Sequence, residues 1–591
     1  MIKPSNEQKV TNKFDKIVGY LVFLFFLLVC LIISWSTQIG YKVDKIGLPN
    51  IAKTDLFTLF FLIVQGKVKI PRGGYIIMGL IGLIILALIA TIIFLRNKLK
   101  SKSIRGDKKA RFLGQGLEIE NLSKKHALEI SNKITNNFNI PAGQLLGSTV
   151  IKNKEVFMTW EDTALIIAGP RTGKTTSVVV PFICTAPGAA VVTSNKADVL
   201  NITYKYRKSI QKNNIWVFDP QGKTNFSSNW FWNPLSYILS NPEKSIDRAG
   251  EVASNFLYGS GSTSSEEIWS QWAINLIQCY LLAAAIDNRP ISDLLQWVNQ
   301  PDNIDSAKIL KNYSPKITTQ KSSFKNLANK IIQFATYPAE QQAGIFGTAQ
   351  SALRFLESPR ILPWIQKMSS GDNRIEFSPK NFAKSKGTIY LISQEGPGTA
   401  APIITSFVNA IANFAVDIAE QNVGENVPPA QIGRLKTPMC FILDEAANIC
   451  KWKELPNLYS HFGSRSICVT TILQSYAQGV KVWGEKEMET LFDASNIFIY
   501  GGGNKDPKNL ESISKLLGER DRIMQSVTDS SKNQSISESI SREYIFPPSM
   551  LAALPKERSI IITTGSVPTI IKKNFYWQNA EIVKKLKVKN V

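Results

Sequence analysis

TALIIAGPRTGKTTSVVV, residues 163–180, decides how this chain is read. Ala164 to Ala168 are apolar and have the length of a buried strand. Gly169-Pro170-Arg171-Thr172-Gly173 then makes a tight turn, and Lys174-Thr175-Thr176 opens an apolar helix. Strand, turn and helix in that order make G-K-T a phosphate-binding loop, not an accident of a surface turn. Backbone N–H groups from Gly169 to Thr176 converge on phosphate oxygens, and the helix N-terminus adds partial positive charge. Lys174 is expected to reach the β- and γ-phosphates of ATP, and the Thr175 hydroxyl to ligate Mg²⁺. Ala168 stands where such Walker A loops more often carry glycine, a position that needs a small residue more than a positive φ.

A second chemical centre lies 270 residues after Lys174, where Met439-Cys440-Phe441-Ile442-Leu443 runs into Asp444-Glu445. An apolar strand ending in two carboxylates is the Walker B arrangement. Asp444 is expected to hold Mg²⁺ through water, and Glu445 to polarise the attacking water as general base. The next strand, Ile467 to Ile472, ends at Leu473-Gln474. Gln474 reads either as a γ-phosphate sensor or as an amide capping the strand. Arg465, just before that strand, is either an arginine that completes a neighbouring subunit's site or an exposed side chain pairing with Glu454 or a phosphate. Asp198 and Asp219 also fall at strand tips, as turn or cap residues or, alternatively, near the metal.

At 591 residues the chain has room for more than one domain. Its 69 Lys+Arg give a net charge of +23, which points to an anionic partner, nucleic acid or lipid headgroups, unless it reflects a general lysine bias. Six cysteines scattered through apolar runs, without C-x-x-C spacing, read as reduced packing residues. With only His126 and His461 present, the sequence leaves little room for histidine-based catalysis or a zinc site.

Ile17 to Trp35 is uncharged and long enough to cross a bilayer. It is too long for the apolar region of a signal peptide, and SWSTQIG is a poor cleavage site. A second uncharged run, Gly73 to Leu95, is longer still, and eight basic residues against one acid follow between Arg96 and Arg111. Leu56 to Val64 is too short to cross and is expected on the membrane surface or against the spans. The phosphate loop must lie where ATP is, so two spans (about 17–35 and 73–95) place both termini in the cytoplasm.

From Thr163 the pattern alternates between strand and helix, with further strands at Ala189–Thr193 and Ile215–Phe218. Such a pattern makes an α/β domain with a parallel sheet and nucleotide at the carboxyl ends of its strands. Residues 242–364 read as an all-helical insertion. The sheet resumes at Gly387–Ile392, and Ser559–Thr563 and Thr569–Ile571 are its last strands. Val527 to Ser541, rich in serine, is expected to be a mobile loop. The organisation is therefore a membrane anchor with a basic juxtamembrane segment (1–111), a nucleotide-binding domain (112–241 and 365–580), the insertion (242–364) and a basic tail (581–591).

AGPRTGKTTSVVVPFI, VVTSNKAD, VFDPQG, WNPL, ILDEAANI, TTILQSYAQ and GGGNKDPKNLESISKLLG together resemble the type IV secretion coupling proteins of conjugation systems. The resemblance covers about 163–580 by motif order. It implies a RecA-like P-loop NTPase domain, an all-alpha domain that meets substrate, and a homo-hexamer in the bacterial inner membrane. The expected partners are single-stranded DNA carrying a relaxase, relaxosome proteins and channel components. Lys174 and Thr175 match the nucleotide and Mg²⁺ positions, Asp444 and Glu445 the acidic pair, and Gln474 the sensor. Asn195 and Ala197 depart from the Asp and Gly that many members carry there. Two other readings stay open: an ATP-dependent receptor for protein substrates without DNA transport, and a septal-type DNA translocase.

Overall fold

The computed structural model describes residues 27–47, 53, 55–99 and 106–586, apart from 136, 138, 212–213, 262–266, 316, 318–319, 395–398 and 531–532. The chain forms two compact units, Met1–Ser103 and Ile104–Val591.

In the first unit, part of the expected span at 17–35 falls outside the described residues. From Leu27 the chain is helical to Val43, past Trp35. Its hydroxyls are satisfied in two ways: Thr37 donates one turn back to Ile33 O at 2.7 Å, and Ser34 donates to Leu56 O of the next helix at 2.6 Å. A second long helix spans Arg72–Leu99. Its stretch Arg72–Thr91 has a mean hydropathy of 2.5 and is only 11% buried, so by length and composition it can cross a membrane. The two helices touch at glycines, since a methyl on Gly40 would lie 2.2 Å from the Gly74 nitrogen. Small residues at a crossing bring backbones close where no hydrophobic force acts between helices in lipid. The short helix Leu56–Val64 starts at Asp55, whose carboxylate accepts from the N–H of Phe57 and Thr58, and packs Leu59 against Tyr41 and Val68.

The second unit is built on strands β1 Gln144–Thr149, β2 Glu155–Met158, β3 Ala164–Ile167, β4 Ala190–Ser194, β5 Ile215–Phe218, β6 Trp230–Phe231, β7 Ile375–Glu376, β8 Thr388–Ile392, β9 Met439–Leu443, β10 Ile467–Leu473, β11 Ile497–Tyr500, β12 Glu519–Ser530, β13 Asn533–Tyr544, β14 Arg558–Thr563 and β15 Thr569–Lys573. Eleven form one sheet in the order β2-β1-β15-β14-β11-β3-β10-β9-β4-β8-β5. From β11 to β5 neighbours run parallel, and β14, β15, β1 and β2 extend the sheet antiparallel. The parallel strands are almost wholly apolar because both faces are covered. Alternate side chains serve two cores: Leu165, Ile167 and Val191 on one face, Ala164, Ile166 and Val192 on the other. The first core is shared with helix Ala401–Glu420 and with helices Ser245–Ser260, Glu267–Ile286 and Ala339–Leu353, which come from the helical stretch between β6 and β7. Ala401–Glu420 is as apolar as a span, but it is 78% buried inside this unit.

Two expectations change. Val527–Ser541 is not a loop but part of the β12–β13 ribbon, paired in continuous register from Glu519↔Tyr544 to Ser530↔Asn533. The serine-rich composition concealed two strands that pair antiparallel. Residues 106–111, grouped with the anchor on charge, belong to the second unit. Asp107 there accepts both N–H groups of Arg558, at 2.7 and 2.8 Å. The basic tail begins as helix Ala580–Leu586, and 587–591 lie outside the described residues.

Arg207, 1% exposed, ties helix Asp198–Gln211 to the sheet. It donates to the Thr388 hydroxyl at 2.7 Å and to the carbonyls of Ala186, Gly188 and Lys386 at 2.9, 3.3 and 3.2 Å. Arg207→Met strands these acceptors and is expected to cost roughly 3 kcal/mol, measured as a lowered Tm by scanning fluorimetry.

Candidate nucleotide-binding site

The carboxyl ends of the parallel strands share one edge of the sheet, and β3, β10 and β9 stand side by side there. β10 separates the phosphate-loop strand from the acidic strand, so its tip places Gln474 between them. Beyond β3 the backbone passes through left-handed conformations at Arg171 (φ 61°) and Gly173 (φ 87°). The Thr172 hydroxyl donates to Gly169 O at 2.8 Å, and that of Thr176 to Gly173 O at 3.0 Å. Thr176 is thus engaged within the turn, while no hydrogen bond from the Thr175 hydroxyl exists among the described residues.

Lys174 Nζ hydrogen-bonds Glu445 Oε1 and stands 4.0 Å from Asp444 Oδ1. Gln474 Nε2 donates to the other Glu445 oxygen at 2.8 Å, and the Thr193 hydroxyl on β4 donates to Asp444 O at 2.7 Å. Glu445 itself is left-handed (φ 55°) and 5% exposed, a strained placement of the kind retained where a side chain must be aimed. The fold therefore brings Lys174, Asp444, Glu445 and Gln474 into one cleft.

Arg465 is not in it. It precedes β10 at the amino edge of the sheet, a strand length of about 20 Å from Gln474. There it donates to Glu420 Oε1 at 2.8 Å, not to Glu454, and to His461 O at 3.0 Å. Asp219 shapes its own loop, accepting from Lys223 N and Thr224 N, and Asp198 accepts from Val199 N.

Sequence reasoning missed two contributors, Lys573 and Phe575, and gave the glycines that open GGGNKDPKNLESISKLLG no place in the site. Gly501-Gly502-Gly503 follows β11, and the loop packs directly on it: Gly169 N donates to Gly502 O at 2.9 Å, and a methyl on Gly169 would lie 2.3 Å from Gly503 O. Lys573, at the end of β15, donates to Thr172 O and Gly501 O, and the Phe575 ring covers Gly173. The glycine run was the available signal; Lys573 gave none, being one of two adjacent lysines at a strand end.

Residues 116–591 match the model of the family described as type IV secretory system conjugative DNA transfer. The chain belongs to this family. Among relatives of this family member, the conjugal transfer protein TraG of Rhizobium radiobacter is 21% identical over 421 residues, covering 68% of this chain and 60% of that protein. The type IV secretion system-coupling protein VirD4 of Bartonella quintana is 22% identical over 443 residues, covering 71% and 63%. The family member thus spans about three-fifths of the length of the curated relatives it matches. A solved structure of the plasmid coupling protein TrwB in complex with ADP and Mg²⁺ has a TM-score of 0.48 to it at 17% identity, covering 73% of this chain and 89% of that one.

The residues present fit a divalent cation. Asp444 Oδ1 is buried and has no hydrogen-bond partner among the described residues. Burial, with Glu445 and Asp198 nearby, pushes the Asp444 carboxyl up to about 7 despite Lys174. Its ionised form is therefore costly in the folded protein above pH 4 and fully so above pH 7. Asp444→Asn is expected to stabilise the nucleotide-free protein by about 1 kcal/mol or more at pH 8 and not at pH 4, seen as a raised Tm at the higher pH, while ATP turnover falls at least about 10²-fold. Scanning fluorimetry across pH with a phosphate-release assay measures both.

Proposed function

We propose that this chain is the ATPase coupling protein of a conjugative type IV secretion system. In this reading it is held in the bacterial cell membrane by the two N-terminal spans, with its larger unit in the cytoplasm, and works as a homo-hexamer. The sheet with residues 112–241 and 365–580 is its RecA-like motor domain, and 242–364 is the helical insertion that meets relaxase-bound single-stranded DNA and relaxosome proteins. ATP hydrolysis drives these substrates toward the channel. The observation that carries the reading is the hydrogen-bonded set Lys174–Glu445–Gln474, drawn from three strand ends into one cleft, with Glu445 271 residues after Lys174 and Gln474 a further 29 on.

Lys174 and Glu445 neutralise one another before nucleotide arrives. Phosphate oxygens compete for the Lys174 ammonium, and its departure leaves the Glu445 carboxylate free to orient a water and take its proton. Gln474, already bonded to Glu445, reports that exchange to β10. Thr175 and Asp444 would hold Mg²⁺, which supplies charge neutralisation at the phosphates. Arg465, at the other edge of the sheet, serves only a site to which a neighbouring subunit brings it.

Lys174→Ala is expected to abolish ATP turnover and plasmid transfer in a mating assay with membrane localisation intact, and Glu445→Gln to bind ATP without hydrolysing it; normal turnover in Lys174→Ala refutes the assignment. If the excess of positive charge serves DNA, the affinity for single-stranded DNA falls steeply with salt, with a log–log slope of about −0.7 per phosphate contacted. A flat response between 50 and 200 mM salt favours the receptor for protein substrates.

A further inference from the structure

The C-terminal antiparallel part of the sheet ends beneath the phosphate loop, and residues 573–576 grip that loop at three points. Lys573 Nζ donates to Thr172 O at 2.8 Å and to Gly501 O at 2.9 Å. The Phe575 ring lies so close that a methyl on Gly173 would meet it at 2.8 Å. Tyr576 N donates to Thr176 O at 3.0 Å. Lys573 is 8% exposed, and neither of its hydrogen-bond acceptors is a carboxylate. Burial draws its pKa down to about 8, which still leaves it charged at neutral pH. A buried ammonium spent on two carbonyls is a costly arrangement, out of proportion to a strand end.

We infer that Lys573 is a positioning residue of the nucleotide site, acting through the Thr172–Gly173 peptide. A trans peptide is planar, so its C=O and N–H point in opposite directions. Holding Thr172 O outward, against Lys573, turns the Gly173 N–H to the inner side of the loop, where phosphate binds. The same hydrogen bond polarises that peptide, and a polarised N–H is a stronger donor to an anion. The second bond, to Gly501 O, fixes the glycine shelf on which Gly169 rests, so one cation sets both the aim and the support of the cradle. Lys573 touches neither phosphate nor water; it acts before chemistry, on ground-state nucleotide affinity.

This inference rests on the nucleotide site proposed above, and the experiment separates the two. The full-length protein in detergent is titrated with N-methylanthraniloyl-ATP, and turnover is measured at saturating ATP, for wild type, Lys573→Met, Lys573→Gln and Lys174→Ala. Lys573→Met is expected to raise Kd by about tenfold or more, the loss of one hydrogen bond from a charged donor, with kcat within about twofold. Lys573→Gln, which keeps a donor without the charge, is expected to fall between Met and wild type. If the Met variant does not fold, Gln alone carries the test, and a Kd raised threefold or more supports the inference. A wild-type Kd in a folded Lys573 variant, or a fall in kcat with Kd unchanged, overturns it. If Lys174→Ala also binds nucleotide as wild type does, the site reading itself fails; if only the Lys573 variants do, this inference alone falls.

Discussion

A lysine ammonium closed into a cleft with two carboxylates is the constraint on which the rest of this molecule depends. The Lys174 side chain is only 11% exposed, set among the phosphate loop, the tip of β10 and the β9 turn. Such a cation is tolerable only with anions beside it, and Asp444 and Glu445 supply them. The two carboxylates repel one another, and Glu445 is the principal counter-ion of Lys174. Asp444 beside it is pushed toward its neutral form by burial, so the cleft holds one carboxylate that is paired and one that is not.

The sheet order follows from this requirement. With β10 between β3 and β9, the cation and the carboxylates come from strands that do not touch, and an amide rather than a further charge occupies the tip between them. The seven parallel strands set the cleft at one edge, while the four antiparallel strands lie beside β11 and send Lys573 and Phe575 back beneath the loop. The sheet's two hydrophobic faces are used differently. One is continuous with the helices between Ser245 and Leu353, which thus share a core with Leu165 and Ile167 of the strand that carries the loop.

The strands that carry the chemistry were legible because each combines a buried apolar run with a polar residue that only a strand tip can use. Ala164–Ile167, Met439–Leu443 and Ile467–Leu473 all announce themselves in this way. β11 did not, since Ile497–Tyr500 is short and the glycines after it look like a linker until the phosphate loop is seen resting on them. The ribbon at Glu519–Tyr544 was misread for a related reason: composition spoke for a loop, and only the pairing register revealed the two strands. Arg465 reads from sequence as a neighbouring subunit's arginine or as a surface side chain paired with Glu454 or a phosphate; within the subunit its partner is Glu420, at the end of β10 away from the cleft. Lys573 was beyond reach, because its role is defined by two carbonyls that no local pattern links to it.

The order in which these parts leave the ribosome gives the Thr172–Lys573 contact, 401 residues apart, a meaning for biogenesis. The helices Leu27–Val43 and Arg72–Leu99 precede the phosphate loop in the chain. The loop follows, but the strand that braces it is made some 401 residues later. A nascent chain therefore carries the whole loop sequence long before Lys573 exists, and the loop cannot take its braced conformation until β15 has been made.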